Sequence, residues 1–304
     1  TLYSQDPASN NDMHNTAVGY DAGLSVSTGT HNILVGSFAG DALTSGSQNI
    51  AIGVGALSAE DANGKNVAIG YEALVAQDAG ADAYNVAIGF EAGHDISTGV
   101  QNTIIGGLAG DALTTGNENV AIGYNAMGAA DGSESRNVAI GNSALQNMNS
   151  DASNYNVAIG YTAGQNITTG VRNTLIGGLV AGALTTGNYN VAVGYQALAA
   201  EDTHNANTAV GYNALSTQDA GADGHNSVLG YQAGTSVTTG VQNTLMGSLT
   251  GDALTTGIGN VAIGYEALSS EDAHGLNVAV GASALSSLNA GANAYNVAVG
   301  YQAG

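Results

Sequence analysis

The chain has no cysteine, no tryptophan, one proline and two phenylalanines, and its only strong bases are Lys65, Arg136 and Arg172. Without cysteine there is no disulfide and no thiolate metal site, and the redox compartment stays open. Three bases against 24 acidic residues leave a net charge of −21. That balance excludes nucleic-acid binding through basic patches, favours solubility and holds parallel fibres apart. No run of ~18 apolar residues occurs, so no membrane-spanning helix is expected. Charged residues make up only 9%, unlike the charge-rich composition of a disordered chain. Glycine, by contrast, fills 46 of 304 positions, about twice the usual share. The chain opens TLYSQDPASNN, with neither an initiator Met nor a signal-peptide pattern; it reads as processed or as a fragment.

The phrase NVAIGYEAL stands at 66–74 and returns at 260–268. Aligning on Asn followed four residues later by Gly gives seventeen starts, from Asn15 to Asn296. Their spacings group in fours of 17, 17, 17 or 18, and 19 residues. The array therefore divides into a lead-in, 1–14, and a repeat region, 15–304. Its super-repeats are 15–84, 85–155, 156–225 and 226–295, with a partial one at 296–304. Repeat periods this short indicate a stacked architecture.

Units of 17–19 residues are too short for helix pairs. The run N-V-A-I-G is β-branched and closed by Gly, which predicts a short strand ending at a corner. Thr-Thr-Gly or Asp-Ala-Gly supplies a further turn. The expectation is an all-β parallel β-solenoid, one coil per unit, with coils ~4.8 Å apart. The repeated pairs Asn66 and Gly70, Asn119 and Gly123, Asn190 and Gly194, and Asn260 and Gly264 fit a structural ladder. Stacked asparagine amides bond along the axis. The Gly meets either a positive φ or a close backbone approach.

Within the strand, Val67 and Ile69 share one face and Ala68 takes the other. Both faces are apolar, so both need cover. One is assigned to the coil's own return segment. The alanine face is assigned to a second chain. There Leu34, Ile104, Leu175 and Leu245 replace Ala where the residue after the Gly is small: Ser37, Gly107, Gly178 and Ser248. Volume compensation of that kind marks dense packing.

The residues N-x-A-[IV]-G, at regular spacing from Asn15 to Gly304, resemble the head repeats of YadA-like trimeric autotransporter adhesins. They resemble equally the repeats of phage tail-fibre proteins, where NTAVGYNAL (207–215) would be at home. The resemblance implies a homotrimer of β-rolls around an axis, in a surface appendage. The units are longer than typical adhesin-head coils, and the 304 residues themselves carry no pattern read as a neck, stalk or anchor. Ending in mid-unit, the chain reads as cut from a longer array or as joining its copies end to end.

Candidate chemistry is sparse. Tyr71, Tyr124, Tyr195 and Tyr265 follow the motif Gly; packing between coils or chains is the favoured reading, and an aromatic surface for glycans the other. Glu60 with Asp61, Glu201 with Asp202, and Glu271 with Asp272 are oxygen-rich enough for Ca²⁺, although a solvated acidic rim is favoured and no cofactor is required. Thr-Thr-Gly reads as turn chemistry rather than an ice-binding face. The six His show no i, i+4 pair with a carboxylate base, and no catalytic motif appears. The chain is therefore expected to be no enzyme. The favoured function is a structural fibre or filament segment, extracellular, on a cell surface or in a virion. The alternative is an adhesin head that binds glycans or matrix proteins.

Overall fold

A computed structural model describes residues 1–5 and 12–304; residues 6–11 of the lead-in lie outside the description. The chain divides into two compact units, Thr1–Tyr155 and Asn156–Gly304. Each is a parallel β-solenoid with one three-residue strand per coil. The first holds eight strands, from Thr16–Val18 to Val138–Ile140; the second holds nine, from Val157–Ile159 to Val297–Val299. No helix occurs among the described residues. Neighbouring strands pair in parallel with equivalent residues opposite each other, as Ala68 lies between Ala51 and Ala87.

The alternation within the strand sets what lies inside. Ala68 and its counterparts from the second coil onward are buried, while Val67, Ile69 and theirs are half-buried or exposed. This reverses the expectation from sequence. The alanine side is the interior of the coil, closed by the chain's own return; the β-branched side faces outward. Counting from the motif Asn, positions 0, 2, 7, 8 and 11 fill the core, as Asn102, Ile104, Ala109, Gly110 and Leu113 do in one coil. The volume exchange runs inside as well. Where position 2 is large, position 8 shrinks: a Cβ on Gly40 would lie 2.8 Å from Leu34 Cδ2, and one on Gly251 would lie 3.1 Å from Leu245 Cδ2. Where position 2 is Ala, position 8 is often Leu, as in Ala68 with Leu74.

The return path uses left-handed backbone at residues that are not glycine. Lys65, Glu72 and Leu74 have φ of 65°, 50° and 51°, and the same three places recur through the coils. Such a residue costs roughly 1–2 kcal/mol. Here it directs its N–H along the stacking axis: Lys65 N donates to Ser47 O at 3.1 Å, Glu72 N to Val54 O at 2.9 Å and Leu74 N to Ala92 O at 3.1 Å. Each coil thereby satisfies backbone groups of the coils before and after it, as buried amides require.

The motif Gly meets both demands posed for it. Gly106 has φ +136°, and a Cβ there would sit 2.5 Å from Gly123 O. No L side chain fits between backbones that close. Gly300, in the last coil, has φ +133° but nothing nearer than Ala303 Cβ at 3.9 Å.

Candidate functional site

Asparagine forms a buried ladder in each unit. Asn85 Oδ1 accepts from Asn102 N at 2.8 Å, Asn102 Oδ1 from Asn119 N at 3.0 Å, and Asn119 Oδ1 from Asn137 N at 3.0 Å. In the second unit Asn190 N donates to Asn173 Oδ1 and Asn260 N to Asn243 Oδ1, both at 2.9 Å. The principal link is thus side chain to backbone, with amide-to-amide contacts added in some coils, such as Asn119 Nδ2 to Asn102 Oδ1 at 3.2 Å. The amide nitrogen also closes its own coil, Asn102 Nδ2 reaching Gly116 O at 2.8 Å. Asn66 stands in the ladder of the first unit and Asn190 and Asn260 in that of the second, and Gly70, Gly123, Gly194 and Gly264 all occupy the close-approach corner.

The outward surface is built from positions 1, 3 and 5 of every coil: Val67, Ile69 and Tyr71 in one, Val191, Val193 and Tyr195 in another. No charged residue stands at any of these places. Tyr71, Tyr124, Tyr195 and Tyr265 are all exposed, between 44% and 56%. None lies in the core; Tyr71 and Tyr195 stack on rings of the following coils, while Tyr124 and Tyr265 have no aromatic neighbour at position 5 of the flanking coils. Tyr71 stacks on Phe90 at 5.3 Å; Tyr195, Tyr212 and Tyr231 form a continuous stack at 5.7 and 5.3 Å.

A second exposed row, at the residue before the motif Asn, was not singled out from the sequence. It carries all three strong bases, and each lies over the ring of a Tyr on the following coil: Lys65 over Tyr84, Arg136 over Tyr155, Arg172 over Tyr189. Lys65 Nζ also meets Asp82 at 2.5 Å, and Arg136 Nε meets Glu118 at 3.0 Å. The bases precede motif asparagines in the sequence, a signal available from alignment alone.

The acidic loops lie at the seams between the third and fourth coils of a super-repeat. Glu60, Glu201 and Glu271 occupy position 11, where most other coils bury an apolar residue and two bury Gln77 and Gln218, and all three are fully buried. Each carboxylate turns into its loop and accepts the N–H of the residue three further on: Asn63 at 3.0 Å, His204 at 3.0 Å and His274 at 3.1 Å. Around His204 Nδ1 stand Glu201 Oε1 at 2.7 Å, Asp202 Oδ1 at 3.9 Å and Asp219 Oδ1 at 4.0 Å. In the first seam Glu60, Asp61 and Asp78 converge, one oxygen of each within 4.8 Å of the others. Glu271 meets Asp272 and His274 likewise. Burial pushes the carboxyls of Glu60 and Glu201 upward from their ordinary value against the hydrogen bonds they accept. Burial does the same to Asp41, Asp111 and Asp252, each at the same place in its coil.

The Thr of the turns is engaged along the axis: Thr185 Oγ1 donates to Asp202 O at 2.8 Å and Thr168 Oγ1 to Thr185 O at 3.3 Å. No helix among the described residues is long and apolar enough to cross a membrane. No protein-family model, no curated protein and no solved structure matches the chain.

Proposed function

We propose that the chain is a structural fibre or filament segment that works through shape and self-association, with a homotrimer as its unit, in an extracellular, cell-surface or virion setting. One observation carries the reading: the outward face is mostly aliphatic and aromatic, with Thr, Ser or Asn in some coils, and free of charge throughout in a molecule of net charge −21. A partner that covers such a face coil by coil needs the same repeat, and another copy of the chain has it. The area is sufficient. In the second unit Tyr161, Tyr195, Tyr212, Tyr231, Tyr265 and Tyr301 are each about half exposed or more, leaving on the order of 100 Å² apiece. Ile176, Leu229, Met246 and Ile263 add to this and bring the face to roughly the 800 Å² per partner of a stable interface. The resemblance of N-x-A-[IV]-G to trimeric adhesin heads and tail-fibre repeats points the same way.

Lysine in place of Ile69, Ile122 and Ile263 tests this. These side chains face outward, so the coil keeps its core. Light scattering is expected to show the triple variant as single chains with an unchanged circular dichroism spectrum. Persistence of the assembly would count against the reading.

The stacked tyrosines favour a second reading, an adhesin head that docks glycan rings on aromatic faces. A glycan array probed with the assembled protein is expected, on that reading, to lose its signal when Tyr195, Tyr212 and Tyr231 become Ala. No signal from the unaltered assembly would remove it.

A further inference from the structure

We infer that copies of the chain pack parallel and in axial register, with the row before the motif Asn on one copy set against position 5 of the next, coil for coil. This rests on the outward face being a self-association surface and adds which side chains meet across it. Position 5 is small in the second coil of every super-repeat, as Ser37, Gly107, Gly178 and Ser248. The interior does not account for this, because position 5 lies on the outward face and the large residue at position 2 is balanced at position 8. Nor does the backbone. Neither Gly107 nor Gly178 is left-handed, and a Cβ there would meet nothing nearer than a Tyr ring carbon, at 3.7 Å and 3.5 Å respectively. Tyr itself stands at the same place in nine other coils. What the small residue leaves is room on the outside. Gly107 and Gly178 are half-buried floors of recesses, with Phe90 and Tyr124 at position 5 on either side of the first and Tyr161 and Tyr195 on either side of the second.

The side chains that fit these recesses stand on the opposite edge of the same face. With positions 0 and 2 buried, alternation turns the residue before the Asn outward together with positions 1, 3 and 5. At the four recess levels that residue is His31, Gln101, Arg172 or Gln242, each larger, polar and exposed. The exchange also runs in reverse, since Ala206 and Gly259 share levels with Tyr212 and Tyr265. Other levels carry side chains on both edges, as Tyr84 and Phe90 do. Within one chain the strand holds the two edges apart. Around an axis parallel to the stack, with two copies or three, one edge of each chain meets the other edge of the next at the same level. An antiparallel pair brings like edges together and loses the match. The contact chemistry is already in use in the chain, where Lys65, Arg136 and Arg172 each lie over a Tyr ring. The stems of Gln and Arg cover apolar surface as well. A second copy is the occupant that the area of the face fits, and the absence of charge at positions 1, 3 and 5 lets it approach a chain of net charge −21.

The chain has no cysteine of its own, so a placed pair reports the contact. Gln101→Cys is combined with Gly107→Cys and the assembled protein is mildly oxidised. Strand Thr103–Ile105 lies between the two positions, on the order of 10 Å of extended chain, beyond the ~7 Å that a disulfide within one chain spans. Covalent dimers or trimers are expected on non-reducing gels, returned to single chains by a reductant. Gln101→Cys combined with Ser37→Cys, four coils out of step, is expected to stay as single chains. Gly107→Phe with Gly178→Phe fills two recesses and is expected to weaken assembly about tenfold or more, with an unchanged circular dichroism spectrum. Suppose the unaltered chain assembles in sedimentation, but the matched cysteine pair gives only single chains, the mismatched pair cross-links as readily, or the phenylalanine variant assembles normally. Any of these overturns the register and leaves self-association standing. An unaltered chain that sediments only with the mass of one chain removes self-association, and the register with it.

Discussion

Asn102 shows how much one side chain does in this fold. Its Oδ1 accepts from the next coil and its Nδ2 closes its own. Asn102→Ala leaves a buried N–H and a buried C=O without partners, each at about 1–3 kcal/mol. The expected loss is therefore about 3 kcal/mol or more in urea unfolding. Glycine offers a sharper contrast. Gly106→Ala forces a Cβ against the backbone oxygen of Gly123, whereas Gly300→Ala meets only the left-handed conformation. The first is expected to cost several kcal/mol, the second about 1 kcal/mol. Equal losses at the two positions would contradict the close-approach explanation. The sequence displayed this Gly and this Asn through repetition alone. It concealed the left-handed conformation at Leu74 and Glu72, since neither residue type favours it and only the axis-directed hydrogen bonds account for it.

At the scale of the coil, periodicity revealed one strand per unit but not which side of that strand was inside. Val and Ile outrank Ala in hydrophobicity, so the β-branched face looked like the core. What decides is room. Where Leu74 fills position 8 the interior leaves room only for Ala68 at position 2, and Ile69 goes out; where position 2 is Ile104, position 8 is Gly110. The large residues at position 2 pointed to compensation, but their partners were the small residues at position 8, Gly40, Gly110, Ala181 and Gly251, rather than the residues after the motif Gly. Ala121→Leu is accordingly expected to overpack the coil opposite Met127, costing about 1–3 kcal/mol. Val120→Leu, facing out one residue earlier, is expected to change stability by less than about 0.5 kcal/mol. Thermal denaturation of the two variants separates the faces. The acidic seams were legible as recurring pairs. The burial of Glu60 was not, because a Glu at a loop suggests solvent.

At the scale of the whole molecule, acidity dominates. Burial raises the carboxyls of Glu60, Glu201, Asp41, Asp111 and Asp252. A raised carboxyl binds its proton in the folded state before it does in the unfolded chain. Its stabilising contribution is thus complete below the ordinary carboxylate value, about 4, and is lost as pH rises through the raised value. Relief of self-repulsion among 24 acidic groups acts in the same direction. Asp82, whose carboxyl the hydrogen bond from Lys65 lowers, titrates below this range and leaves the trend unchanged. The raised carboxyls, joined by His94, whose imidazole is held upward, against burial, by Asp95 and Glu72, predict a higher urea midpoint at pH 5 than at pH 7.5. Glu60→Gln is expected to reduce the difference.

The account depends above all on the outward aliphatic and aromatic face being covered by further copies of the chain. Sedimentation equilibrium of the unaltered protein, at micromolar concentration and ordinary salt, measures this most directly. The predicted result is a mass three times that of one chain, or a larger assembly built from such trimers; a single species with the mass of one chain at every concentration would contradict it.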